Sequence, residues 1–467
     1  MLRKTAVPDE ELEKGRQAAL RLHDDISFRG LSYFIESYGC QMNDHDAEKL
    51  AGMLHACGYR RAEEKLKADL ILFNTCCVRE HAELRVFGNI GALKKRKEEN
   101  PSLIVGVCGC MMQQKDVAEK LFKRFPFVDL VFGTHELHRF PALLESALNG
   151  ERTLSVTQSD GEIAEGLPVE RSGRFQTNVT IMYGCDNFCS YCIVPYVRGR
   201  ERSRDSADIL GEIKALAEAG FKEITLLGQN VNSYRGDGGQ TSFARLLRMA
   251  NSVEGIERLR FMTSHPKDLS MELIQTMADC KKVCNHIHLP VQSGSDRVLK
   301  RMNRGYTREK YLSLVKALRE SVEGMELTTD IIVGFPGETE EDFLDTLSLV
   351  REAGFSAAYT FMYSPRNGTS AARMDEQVDK AVKKGRLERL NRLQAELLRQ
   401  NNERYVGKSG TVLVEGCDRR TTPMAYGKLT SFKMVYFPGD ETLEGQLKRV
   451  RITKTQSNSL LGELIEG

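Results

Sequence analysis

Gly184-Cys185-Asp186-Asn187-Phe188-Cys189-Ser190-Tyr191-Cys192 is the stretch that orders the rest of the chain. Three thiols stand at Cys-x3-Cys-x2-Cys spacing, directly after an apolar, strand-like run at 178–182. Soft thiolates select iron–sulfur clusters or zinc. A [4Fe-4S] cluster normally takes four cysteines, so three on one loop hold three irons and leave the fourth open to a ligand. Structural zinc needs a fourth protein ligand, and no His or Cys follows closely in sequence. A zinc knuckle with a distant fourth ligand is the competing reading.

Downstream of this loop, strand-like runs at 223–227, 258–263, 286–289, 327–333 and 357–361 alternate with helical stretches. With 178–182 they make six βα units. That predicts a partial (β/α)6 barrel, the alternative being an open doubly wound sheet. Upstream, 31–37, 69–74, 103–107 and 128–132 read as strands separated by helices, one of them 44–57 ending at Gly58. These predict an α/β, Rossmann-like N-terminal domain with a small parallel sheet. Residues 1–30 read as a charged helical extension, solvated or loosely docked, ending at Gly30, and 151–172 as a polar linker. A long Leu-periodic helix spans 376–402. After it the period shifts to two (411–414, 434–437, 447–452), which predicts a small C-terminal antiparallel β-barrel. The expected domains are thus 1–30, 31–150, 151–172 as linker, 173–402 and 403–467.

The chain has 467 residues, a net charge of +2 and twelve cysteines, so overall charge does not decide for or against a nucleic-acid partner. The N-terminus lacks a signal-peptide pattern, and no apolar run reaches the length of a membrane span, so a cytoplasmic, reducing location is expected. Structural disulfides are rare there, and clustered thiols more often bind metal. Cys40, Cys76 and Cys110 each follow one of the first three strands. Ligands gather beyond the carboxyl ends of parallel strands, so the three converge on one rim and predict a second three-thiolate site. Any one of them alone reads as a small buried hydrophobe. Cys57, Cys280, Cys284 and Cys417 read as packing residues.

Several long motifs carry a resemblance: GCQMNDHDAEKL from Gly39, FNTCCVREHAE from Phe73, GCDNFCSYCIVPYVRGRERSR from Gly184, LLGQNVNSY from Leu226, LPVQSGSDRVLKRMNRGYT from Leu289 and TDIIVGFPGETEEDF from Thr329. The chain resembles the radical S-adenosylmethionine methylthiotransferases, from about residue 31 to the C-terminus. The resemblance implies two [4Fe-4S] clusters, a radical one on Cys185, Cys189 and Cys192 and an auxiliary one on Cys40, Cys76 and Cys110, these six being the catalytic and metal residues. Cys77 and Cys108 depart from the family pattern and set a second thiol beside Cys76 and Cys110. The resemblance implies S-adenosyl-L-methionine contacts at Phe188 and Tyr191, at Gly228, Gln229 and Asn230 after the second barrel strand, at Gln292 and Ser293 after the fourth, and at Val333 and Gly334 after the fifth. For each, plain loop packing is the structural alternative. It also implies a C-terminal TRAM module.

The substrate implied is tRNA, at an N6-(dimethylallyl)adenosine 3′ of the anticodon that gains a 2-methylthio group. Two cofactor molecules take part, one as methyl donor and one as source of a 5′-deoxyadenosyl radical. Arg198, Arg200, Arg202 and Arg204, and Lys448, Arg449, Arg451 and Lys454 on a C-terminal strand, are expected to meet RNA phosphates. A solvated loop paired with Glu201 and Asp205 is the alternative for the first group. Reductant and sulfur-carrier proteins are expected partners, and a monomer is expected. Methylthiolation of threonylcarbamoyl-adenosine or of a ribosomal-protein aspartate remains a rival, against which GCQMN and LLGQNVNSY speak. A non-catalytic, metal-containing RNA-binding protein is the rival from another class.

Overall fold

The computed structural model describes residues 6–77, 80–158, 161–418 and 423–465. Small parts of the expected extension (1–5), linker (159–160) and C-terminal module (419–422 and 466–467) lie outside the described residues. The chain divides into two compact units.

The first unit holds residues 1–172, 182–186 and 193–204. Its sheet has six parallel strands in the order Arg60–Arg61, Ser32–Ser37, Leu70–Thr75, Ile104–Gly109, Leu130–Phe132 and Thr153–Ser155. Leu70–Thr75 and Ile104–Gly109 are buried along their whole length, as central strands with both faces covered must be. One face packs Leu50, Leu54, Phe140 and Leu144; the other packs Val86, Ile90, Ala118 and Leu121.

The N-terminal helix Asp9–Arg29 is docked rather than solvated all round, because its small and apolar residues Gly15, Ala18, Ala19 and Ile26 are buried. Arg21 ties it to Glu145 at 2.7 Å. The stretch 151–172 is not a free linker. It begins with the edge strand Thr153–Ser155, and Glu170 and Ser172 then bond to Tyr33 and Glu48.

The second unit holds residues 173–181, 187–192 and 205–467. Gln176–Thr180, Glu223–Leu227 and Arg258–Phe261 form one parallel triplet, and His286–His288, Glu326–Val333 and Ala357–Met362 another. A bridge between Leu259 and Val283 joins the two, and helices follow the strands, giving six βα units. The expected strands agree with these to within a few residues. A closed five-stranded barrel of Ser409–Asp418, Met424–Lys428, Met434–Pro438, Leu460–Leu464 and Leu447–Thr455 completes the unit. It is antiparallel except where Val435 pairs with Leu460. Arg258 donates to the carbonyls of Thr411 and Lys428, and Phe432 stacks on His286 with ring centroids 4.6 Å apart. Among the described residues no helix is long and apolar enough to cross a membrane.

Candidate functional site

In the first unit, Cys40, Cys76 and Cys110 stand at the carboxyl ends of three neighbouring parallel strands, because Ser37 pairs with Asn74 and Asn74 with Cys108. Gly39 has φ +127°, and a Cβ there would lie 2.7 Å from the Cβ of Cys76, so the turn before Cys40 needs glycine to let the two loops approach. Asn43, in the first turn of helix Gln41–Ala56, staples the rim. It donates to the carbonyls of Tyr38 and Thr75 and accepts from Arg198 at 2.9 Å and from the Cys110 thiol at 3.4 Å. The Cys77 thiol also bonds to Cys110. That bond, with Arg198, brings Cys110 down to about 7, while Cys77 itself is pushed up by the same bond and by burial. Burial raises Cys108. Cys77, which departs from the family pattern, is thus a thiol in contact with Cys110.

Arg198 is the central cation of this rim. It is 5% exposed, pairs with Asp46 at 2.7 Å and points its Nε at the Cys110 sulfur at 3.1 Å. The arginine run therefore differs from the expected row of phosphate contacts. Arg202, 6% exposed, donates to the carbonyls of Arg198 and Arg200. Arg204, 8% exposed, pairs with Glu165 at 2.5 Å. Arg200 alone is exposed, beside Asp186 at 3.1 Å. The physical reason is that 193–204 returns to the first unit and supplies the positive charge its buried Asp46 and thiols require. Gly184 needs its positive φ of 77° here, since a Cβ would strike the Arg200 carbonyl, and the Cys185 N–H donates to the Gly199 carbonyl.

In the second unit the loop Asn187–Cys192 is pinned at the carboxyl ends of the barrel strands. Ser190 donates to the Met302 and Arg301 carbonyls, and Asn303 donates to those of Asn187 and Phe188. Arg304, buried, sets its guanidinium 3.4 Å from both the Cys189 sulfur and the Tyr191 hydroxyl. Tyr191 packs beside Phe335 and Tyr363. Of the other expected cofactor residues, Asn230 donates to Asp268 at 2.8 Å and Gly228 accepts from Thr263; Gln229 is half-buried. The Ser293 hydroxyl is hydrogen-bonded to the Thr346 hydroxyl at 3.3 Å. Val333 is buried, and the Gly334 N–H donates to Glu338 at 2.8 Å.

Two signals mark this mouth that sequence reasoning missed. Three non-glycine residues there hold left-handed backbone: Phe188 (φ 44°), Thr263 (φ 66°) and Gln292 (φ 68°). Such strain, costly above all for β-branched Thr, collects at functional sites. In addition, Ser264 Oγ, His265 Nε2 and Gln292 Oε1 are buried without a hydrogen-bond partner. Burial depresses His265 to about 2, so its imidazole is neutral; because Nδ1 accepts from the Lys267 N–H, Nε2 carries the proton and can donate to a polar ligand. Unsatisfied buried polar atoms are costly, and a polar ligand such as S-adenosylmethionine would satisfy them. The chemistry of both thiol sets fits an iron–sulfur cluster.

Residues 179–350 match the Radical SAM superfamily, 32–133 the uncharacterized protein family UPF0004 and 403–465 the TRAM domain. The chain is 54% identical to the tRNA-2-methylthio-N(6)-dimethylallyladenosine synthase of Clostridium tetani (strain Massachusetts / E88), covering 95% of this chain and 98% of that one. It is 51% identical to the enzyme of the same name from Thermoanaerobacter sp. (strain X514), covering 98% of each. Among solved structures, the radical S-adenosylmethionine methyltransferase TsrM from Kitasatospora setae is similar with a TM-score of 0.53 at 16% identity, covering 73% of this chain and 77% of that one, a likeness of fold. The chain belongs to the family of tRNA-2-methylthio-N(6)-dimethylallyladenosine synthases, which are radical S-adenosylmethionine enzymes.

Proposed function

We propose that the protein converts N6-(dimethylallyl)adenosine, 3′ of the anticodon in tRNA, to its 2-methylthio derivative. The observation that carries this is near-full-length identity above one half with synthases of that name, together with both thiol sets and a TRAM module in one chain. Cys185, Cys189 and Cys192 would hold the radical [4Fe-4S] cluster, and Cys40, Cys76 and Cys110 an auxiliary one. When bound, the clusters and S-adenosylmethionine supply sulfur, a methyl group and a 5′-deoxyadenosyl radical that takes the unactivated C2 hydrogen.

The chain's own residues bind, orient and screen charge. Arg304 and Arg198 direct guanidinium N–H groups at the Cys189 and Cys110 sulfurs, the atoms that metal ligation would use. Ser264, His265 and Gln292 offer polar atoms to the cofactor. On the C-terminal barrel, Arg449, Arg451 and Lys454 are exposed and Lys448 half-exposed, and with Arg200 they offer cations to RNA phosphates. The target base must leave its stack, which a single-stranded loop allows at low cost. Reductant and sulfur-carrier proteins, a cytoplasmic location and a monomeric state complete the reading. Prenylated tRNA deuterated at adenine C2 tests the chemistry. Deuterium should appear in 5′-deoxyadenosine; methylthiolated product with deuterium-free 5′-deoxyadenosine would contradict it.

A further inference from the structure

The interior of a (β/α) barrel is ordinarily filled by layers of side chains from its strands. In the second unit that filling stops partway up. At the lower end, Phe432 stacks on His286, and the Thr328 hydroxyl is hydrogen-bonded to the rings of both His286 and His288 at 3.0 Å. One layer higher, His288 Nε2 stands 3.5 Å from Asp330, and its ring meets Tyr359 edge-on with centroids 5.9 Å apart. Above that layer the wall is open. Tyr359 and Phe361 on the last strand, Ala357–Met362, are each 49% exposed. They share the interior face, because residues two apart on a strand point the same way and the intervening Thr360 turns outward to Asn391 of helix Lys380–Glu403 at 2.6 Å.

Two large aromatics left half in water on an inward face of a parallel sheet are unusual, since such strands are normally covered on both sides. The patch is apolar toward the strand's carboxyl end and bounded below by the polar pair His288 and Asp330. It lies on the strand leading to the end of the barrel where Asn187–Cys192, Thr263 and Gln292 gather. Its occupant must therefore be apolar at one part and carry hydrogen-bonding groups at another, and must reach the same mouth as the cofactor residues.

We infer that Tyr359 and Phe361 form the wall that receives the dimethylallyl group of the target adenosine and so set the preference for prenylated tRNA. The inference rests on the proposed function. It assigns specificity to the last barrel strand, where no motif of the sequence drew attention, and gives His288 and Asp330 the role of a polar floor that stops the hydrocarbon from going deeper.

The test uses the cluster-reconstituted full chain and two anticodon stem-loops, with and without the dimethylallyl group, measuring Kd and kcat/KM for each. A hydrophobic pocket discriminates about 10-fold to 200-fold per methylene, so the unaltered protein should favour the prenylated RNA by at least about tenfold. Phe361→Ala and Tyr359→Ala should each bring that ratio down severalfold, and together to near unity, chiefly by weakening the prenylated RNA. Phe361→Leu, which keeps apolar volume, should retain most of the preference; Phe361→Asn, which replaces the apolar ring with a polar amide, should lower it severalfold and takes the place of Phe361→Ala if the latter loses cluster iron. If the unaltered protein shows the preference and the alanine or asparagine variants keep it, the assignment is overturned while the proposed function stands. If the unaltered protein shows no preference, both are overturned.

Discussion

Arg198 shows how a residue's role follows from burial rather than from its place in a charge run. Its guanidinium reaches Asp46, Asn43 and Cys110 at once. Breaking a buried ion pair from one side leaves an uncompensated charge and costs about 3–5 kcal/mol. Arg198→Met should therefore lower unfolding free energy by roughly that much, and Asp46→Asn in the same chain should recover part of it. Denaturant titration of both single variants and the double variant checks this; strict additivity would mean that the two side chains do not interact. The thiol sets separate at the same scale. Replacing Cys185, Cys189 and Cys192 with Ala should abolish 5′-deoxyadenosine formation and leave iron on the other set. Replacing Cys40, Cys76 and Cys110 should remove sulfur insertion and spare cofactor cleavage. Cys77→Ser destroying the auxiliary cluster while Cys110→Ala spares it would reassign a ligand. The gathering of Cys40, Cys76 and Cys110 at one rim was legible in the sequence because the order of parallel strands sets it. The arginines were misread because Arg198, Arg202 and Arg204 look in sequence like any exposed basic loop. Only the return of 193–204 to the first unit buries them. Thr263, His265 and Arg304 carry no spacing signal at all.

Among the elements, helix Glu340–Ala353 gives a measurable case. Thr339 caps it, and Asp342 closes the capping box while also accepting from Ser295 and Arg297. Burial opposes ionisation of Asp342, but Arg297, Ser295 and Thr339 outweigh it and hold the carboxyl well below 3.8. A carboxyl depressed by folding stabilises above its unfolded value, and that contribution is lost as pH falls through the folded value. Asp342→Asn should cost about 2 kcal/mol at neutral pH, as the loss of a cap and a charge-assisted bond would, with the deficit shrinking below about pH 4. Thermal unfolding across that range checks it; a deficit independent of pH would rule out the charge as cause. The strands of both sheets were readable because continuous apolar runs such as DLILFN and LIVGV have no other stable home. Arg60–Arg61 and Thr153–Ser155 were missed because short edge strands need no apolar pattern. Met424–Lys428 and Leu460–Leu464 were missed because glycine interrupts each of them.

At the scale of the whole molecule, the near-neutral net charge of +2 means that RNA must be met by local cations. Binding of tRNA should fall with salt along a line whose slope counts phosphate contacts, and replacing Arg449 and Arg451 together should flatten that slope by about two. Filter binding at several salt concentrations reads it; an unchanged slope would remove this face from the interface. A three-way comparison of substrates decides what the protein modifies. Prenylated tRNA, unprenylated tRNA and a ribosomal-protein substrate are each incubated with the reconstituted protein, S-adenosylmethionine and a reductant, and the products are identified by mass spectrometry. The 2-methylthio derivative of the prenylated adenosine should form, with far slower turnover of unprenylated tRNA and none of the protein. Equal turnover on unprenylated tRNA, or product only on the protein, would contradict the account.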